Sequence, residues 1–286
     1  MPKQVNREVK RNINNFEEVL ELLKCDITEA EVFCRIKNEE FPCENKKAII
    51  VNGKYLTTVG PDYSVLPHIE ALDMFQSELL RSKLDYKINT FYMTPNKSKF
   101  YLEMMFPGYK HTVAKLQNGH NDVLNPRVIL VNAIDGSRKF GFELGFYRFV
   151  CKNGLRIGKE IFKTLHVHSK NMNIEGFCKD LEDTIKVGEK RLQSVTKLVD
   201  EKIERLQGAA IIEDFINEKK IMPQKFESDI KLQWMNEDLN QWGLYNAFTN
   251  VVTHKILPNN YERARVMELA IDKQFQNGLV IPISAN

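Results

Sequence analysis

The spacing of apolar residues changes period near Met172, and this limits the fold more than any other feature of the chain. Upstream, the apolar runs are short, rich in β-branched and aromatic residues, and bounded by turn residues. They are KAIIV and KYLTTV around Asn52-Gly53, YKINTFYMT and KFYLEMMF around Pro95-Asn96, VILVNAI, and FGFELGFYRFV. Asn-Gly between two such runs is the strongest short signal of a β-hairpin, because both residues tolerate positive φ. Downstream, Phe177, Leu181, Ile185, Leu192, Val195, Val199, Ile203 and Leu206 recur in steps mainly of four and three, the period of a helix face. A helix carrying that stripe runs about 30 residues, or about 45 Å. Gly208 marks its expected end. Further helical segments follow around Ile211–Glu218, Gln241–Lys255 and Asn260–Gln274, separated by Pro223 and Pro258.

Strands first and helices afterwards predict an α+β protein, not repeating βαβ units. The expectation is a mainly antiparallel sheet with a packed helix, followed by a helical C-terminal region. The expected division is an N-terminal helical or irregular segment (1–45), an antiparallel α+β core (46–172) and the helical region (173–286). Within the first two parts, residues 14–24 read as a short helix capped by Asn14 or Asn15. Residues 68–83 read as a helix with Ile69, Leu72, Phe75, Leu79 and Leu80 on its apolar face. QNGHNDVLNPR (117–127) reads as a polar loop and KEIFKTLHVH (159–168) as a further strand.

No apolar run approaches the roughly 20 residues of a membrane helix, and the first dozen residues carry charge with no apolar stretch behind them. These features lead to the expectation of a cytoplasmic protein. The five cysteines, Cys25, Cys34, Cys43, Cys151 and Cys178, are odd in number and lack CxxC spacing, although the first three follow one another in steps of nine. They are expected to be free thiols.

Chemistry concentrates in Asn132–Gly154, NAIDGSRKFGFELGFYRFVCKNG. Asp135-Gly136-Ser137 has the composition of a tight turn. In the strand after it, Phe140, Phe142, Leu144 and Phe146 share one face. Arg148 falls on that same face and is expected to be half-buried unless a bulge turns it out. From Arg138 to Lys170 there are eight basic residues, Arg138, Lys139, Arg148, Lys152, Arg156, Lys159, Lys163 and Lys170. Only Glu143 and Glu160 oppose them, in a chain whose net charge is +3. Cations interleaved with aromatic rings suit a single-strand groove, with charge for phosphates and rings for bases. Core packing and a solvated lysine face account for the same residues.

His166 and His168 share a strand face and form a candidate metal pair. Asp122, His120, Asp135 or His254 could be a third ligand, but no metal and no cofactor is expected. In QWGLYNAFTNVVTHK (241–255), Asn246, Thr249, Asn250, Thr253 and His254 form a polar strip opposite Trp242, Tyr245 and Phe248. Such strips serve packed interfaces or ligands.

Two stretches together carry a resemblance. An Asp-Gly-Ser turn leads into a strand ending Arg148-Phe149-Val150-Cys151-Lys152-Asn153, and WGLYNAFTNVVTHK follows later in the chain. The chain resembles the phage/plasmid-like protein family, catalogued as domain of unknown function nine-three-two, over roughly residues 45 to 275. The shared motif positions are Asp135, Ser137, Arg148, Cys151, Asn153, Trp242, Asn246 and His254. The resemblance implies no established activity. It implies work around replication, recombination or defence in a mobile element, and its polar motif residues are compatible with an enzyme. A sheet with a helix is also similar to phage single-strand annealing proteins, at the level of fold analogy alone.

The leading expectation is a phage or mobile-element accessory protein that binds single-stranded nucleic acid through Arg138, Lys139, Arg148, Lys152, Arg156, Lys159 and Lys163. One alternative is a metal-dependent hydrolase or nuclease using Asp135, Cys151, Asn153 and a histidine. Another is a structural or host-interaction protein that assembles as a homo-oligomer through the helix 177–206.

Overall fold

The structure is a computed structural model. It describes residues 8–11, 13, 15–116, 119–148, 153–156, 192, 195–258, 260–276 and 279, with Glu78 and the strands 8–11 and 153–156 described by backbone alone. The chain is an α+β protein with two compact units. Contacts group the chain differently from a cut at residue 172. The first unit takes residues 1–105, 128–143 and 162–182; the second takes 106–127, 144–161 and 183–286.

The early elements are β1 (Glu8–Arg11), α1 (Phe16–Leu23), β2 (Ile27–Ile36), β3 (Glu39–Val51), β4 (Lys54–Val59), α2 (His68–Ser82), β5 (Lys87–Met93) and β6 (Lys99–Met105). The Asn15 side chain caps α1 by accepting a bond from the Glu18 N–H at 2.9 Å, and Phe16, Val19 and Leu23 make its buried stripe. Asn52 and Gly53 both have positive φ, at 50° and 72°. That is the requirement of a tight hairpin turn, and β3 and β4 pair from Val51↔Lys54 onward. In α2, Ala71, Leu72, Phe75 and Leu79 are buried while Leu80 is exposed.

β2, β3 and β4 form one antiparallel sheet. The β2–β3 hairpin is not evident in the sequence, because most of its residues are exposed and no inside–outside alternation marks it. It corrects the expectation of five free thiols: Cys34 and Cys43 form a disulfide across the hairpin, their Cα atoms 6.3 Å apart. A spacing of nine places these residues on facing strands around the turn at residues 37–38.

The remaining strands are β7 (His111–Lys115), β8 (Asn121–Ala133), β9 (Gly141–Arg148) and β10 (Asn153–Arg156). The strand order is β1-β5-β6-β8-β9-β10, with β7 paired to β8. β8 corrects the polar-loop expectation: it begins at Asn121 and runs through Pro126. Its polar residues Asp122, Asn125 and Arg127 are buried, so hydrophobic patterning hides the strand.

The second unit's helices are α3 (Arg205–Asn217), α4 (Glu227–Asn236), α5 (Gln241–Val251) and α6 (Tyr261–Gln276). α4 packs on α5, and both α5 and α6 pack on β10. The expected long helix does not run through to Leu206. Residues 195–200 are helical, and the chain then breaks. A capping box at Glu204, whose backbone N–H donates to the Gln207 side chain at 3.0 Å, starts α3. Gly208 therefore lies inside α3, where Trp234 presses against it.

Of the described part of the stripe, Leu192, Val195 and Ile203 join the core with Trp234, Trp242 and Phe248, whereas Leu206 is 83% exposed. Residues 177–191 lie outside the described residues, as does the expected strand 159–168 with His166 and His168. Because Leu192 lies in this core, Leu192→Asp should unfold the second unit by burying an unpaired charge. Circular dichroism and size-exclusion chromatography test this; a folded variant that changes only its oligomeric state would contradict it. Among the described residues, no helix is long and apolar enough to cross a membrane.

Candidate functional site

β9 ends at Arg148, and burial leaves its guanidinium no water to bind. It meets Asp122 at the start of β8, its Nε donating to both carboxylate oxygens at 2.9 and 2.8 Å. Nη2 lies 2.7 Å from Asp122 Oδ2. Nη1 reaches the Glu237 carboxylate at 3.2 and 3.3 Å. The Arg148 and Asp122 side chains are 2% and 0% exposed. A rigid fork of donors suits two carboxylates where a single ammonium would not. The Trp242 indole N–H adds a bond to Asp122 Oδ2 at 2.8 Å, and the Arg148 guanidinium carbon lies 5.7 Å from the Trp242 ring.

Local structure places Trp242. Asn240 caps α5, its side chain accepting from the Gly243 N–H at 2.8 Å. Upstream, Arg205 donates to the Glu237 carbonyl at 2.7 Å and also to the Trp234 carbonyl, which holds the segment carrying Glu237. Along α5, the Asn246 amide donates to the Trp242 carbonyl at 2.8 Å and Thr249 to the Tyr245 carbonyl at 3.2 Å. Of the polar strip expected on this helix, Asn246, Thr249 and Thr253 are buried, and Asn246 and Thr249 bond to the helix's own backbone, whereas Asn250 is half-buried and His254 is exposed.

Beside Trp242 lies a cavity of about 240 Å³. Trp242 and Tyr245 stack at 5.7 Å along it, and Asp272, Glu201, Gln241 and Phe275 contribute to its walls. Burial pushes the Tyr245 hydroxyl well above its ordinary pKa. The negative charges of Asp272 and Glu268 push it further and Arg127 opposes them, so Tyr245 stays protonated. Arg127 and Glu268 form a second buried pair at 3.5 Å.

The sequence-predicted residues separate into several places. Arg148, Trp242 and Asn246 come together in the second unit. Arg148, proposed from sequence as a nucleic-acid contact, is instead an interior ion-pair residue, because two carboxylates and burial leave no face for a phosphate. Asp135 and Ser137 belong to a turn of the first unit: the Ser137 N–H donates to Asp135 at 3.0 Å, and Lys99 lies 3.6 Å from the carboxylate. The Tyr63 hydroxyl braces that turn, donating to the Ala133 carbonyl and accepting from the Gly136 N–H. Burial raises its pKa to about 12.

Arg138 pairs with Glu143 at 3.6 Å, and Lys139 is exposed. His254 is exposed on the π-helical turn Val252–Ile256. Asn153 and Arg156 are described by backbone, opposite Arg148 and Gly145. Cys151, Lys152, Lys159 and Lys163 lie outside the described residues. Among the described residues, no group of three His, Cys, Asp or Glu side chains is placed to hold a metal ion.

Sequence reasoning did not assign Glu237 or Arg127 to a site, and named Asp122 only as a possible metal ligand. The available signal was Arg148 itself. A buried arginine at the end of one strand of a hairpin demands a carboxylate near the start of the other.

The fold and this site define a class: an α+β protein whose second unit closes around a buried arginine, two carboxylates and a tryptophan. The chain belongs to the family described as Domain of unknown function (DUF932), whose model matches residues 55–274 and so includes the whole network. No curated protein and no solved structure matches it.

Proposed function

We propose that the chain is an accessory protein of a phage or other mobile element, and that it binds single-stranded nucleic acid through the basic segment that starts beside β9. One observation carries this: the cations that remain once pairing among the described residues is accounted for. Arg148 is interior and Arg138 faces Glu143. Lys139, Lys152, Arg156, Lys159, Lys163 and Lys170 are left in the segment, opposed only by Glu160. Phosphate binding needs an excess of this kind, and stacking aromatics add sequence-tolerant affinity. In this reading the Arg148 network is a brace that fixes the end of β9, from which the segment departs. The proposed setting is a bacterial cytoplasm, where reductants would be expected to open the Cys34–Cys43 bond.

The test is Lys139, Lys152, Lys159 and Lys163 changed together to Gln. Each lost phosphate contact lowers the slope of log affinity against log salt by about 0.7, so four should lower it by roughly 2.8. Fluorescence anisotropy with labelled strands of two unrelated sequences should show weaker binding and unchanged sequence preference. Equal slopes for the variant and the parent protein would place the contacts elsewhere.

A further inference from the structure

β2 is an edge strand: its sheet has the order β2-β3-β4, and among the described residues only β3 pairs with it. β4 pairs with β3 over Lys47–Val51 alone, so Phe33–Ile36 and Glu39–Pro42 form a two-stranded arm. The register puts Cys34, Ile36 and Phe41 on one face of the arm and Phe33, Arg35 and Pro42 on the other. Phe33, Ile36 and Phe41 are 53%, 62% and 45% exposed. A two-stranded ribbon is only marginally stable in water, and large apolar side chains along an open edge favour the addition of another strand.

The charges along β2 select that strand. Lys47 neutralises Glu29 at 2.8 Å, whereas Glu31 and Arg35 are exposed and belong to no ion pair among the described residues. The register shift between Glu31 and Phe33 takes its extra residues from β3, and β2 continues as one strand over Ile27–Ile36. When a strand pairs antiparallel with a copy of itself, only alternate residues bond across the axis, so the pairing is centred on one residue. Centring on Phe33 sets it against its own copy and sets Glu31 against Arg35 of the second copy, twice by symmetry. Ala30 then faces Ile36, and Val32 faces Cys34. Centring on Glu31 would oppose like charges. Centring on Val32 would set Phe33 against Glu31, and centring on Cys34 would set it against Arg35.

We propose that β2 is the dimerisation edge of this protein, and that its partner is a second copy of the chain paired antiparallel about a two-fold axis at Phe33. The pairing joins the two β2-β3-β4 sheets into one and uses the β2 edge of both copies, so this contact closes at a dimer. Phe33, Glu31 and Arg35 lie outside the basic segment, so dimerisation and nucleic-acid binding can fail separately.

Sedimentation velocity on the full chain over about 1–200 µM tests the proposal, and the parent should dimerise with a Kd on the order of 10 µM. Phe33→Glu sets two carboxylates face to face on the axis and should leave a monomer over the same range. Glu31→Arg and Arg35→Glu, made singly, set like charges opposite each other and should each weaken dimerisation at least tenfold. Made together they re-create opposite-charge pairs and should return the Kd to within about threefold of the parent. All three positions are exposed, so each variant should keep the parent's circular dichroism spectrum. A parent that stays monomeric at about 200 µM would leave the edge to a different partner and overturn the proposal. So would a dimer that Phe33→Glu and the single charge changes leave intact, which would place the contact elsewhere, or a double variant no tighter than the single ones.

Discussion

Arg148→Ala should destabilise the protein by about 3–5 kcal/mol, the cost of leaving buried charge without its partner. The substitution strands Asp122 beside Glu237, and the side chains involved are almost wholly withdrawn from water. Solvent screening therefore gives little relief. Arg148→Lys should recover only part of the loss, since one ammonium cannot reproduce the contacts from Nε, Nη1 and Nη2. The double variant Arg148→Met with Asp122→Leu should be more stable than Arg148→Ala, because it removes the fully buried carboxylate along with its partner and leaves only the less buried Glu237 uncompensated. Urea unfolding measures each through the shift in midpoint. A loss below about 1 kcal/mol for Arg148→Ala would show that water reaches the pair, and that the network is not the brace proposed.

Gly243→Ala should also destabilise strongly, with a sign opposite to helix propensity. In an open helix the change gains about 1 kcal/mol. Here a Cβ would collide with the Asp238 carbonyl oxygen, far inside van der Waals contact. A backbone atom cannot swing aside, so the α5 N-terminus and its Asn240 cap must shift, at a net cost of about 2–3 kcal/mol. Gly208→Ala should behave similarly, since its Cβ would collide with the Trp234 ring, which is itself buried. Urea midpoints again provide the readout. A Gly243→Ala protein as stable as the parent would mean that the segment before α5 relaxes freely.

What was legible in the sequence was local. The Asn52-Gly53 hairpin, the Asn15 cap and most of the α2 face depend on residues a few positions apart and formed as expected, with Leu80 the exception on α2, where it is exposed. The burial of Arg148 was also legible, from strand alternation. Its partners were not: Asp122 lies 26 positions away and Glu237 lies 89. No local rule links such positions, and Asp122 sits in a polar run that resembles a loop. The long helix failed for a different reason. Apolar spacing continued through residues 201–204 while the Glu204 capping box had already begun a new helix. The β2–β3 hairpin was missed because its side chains face solvent and leave no periodic trace.

The central claim, that a nucleic-acid strand follows the segment from Lys139 to Lys170, is tested most directly by photocrosslinking. A single strand carrying 5-iodouracil is bound at low salt and irradiated, and the attached peptides are identified by mass spectrometry. Crosslinks within residues 139–170 are predicted, with none at Arg148. Crosslinks confined to the exposed Phe33 and Phe41 of the β2–β3 hairpin, or no binding at low salt at all, would contradict the claim.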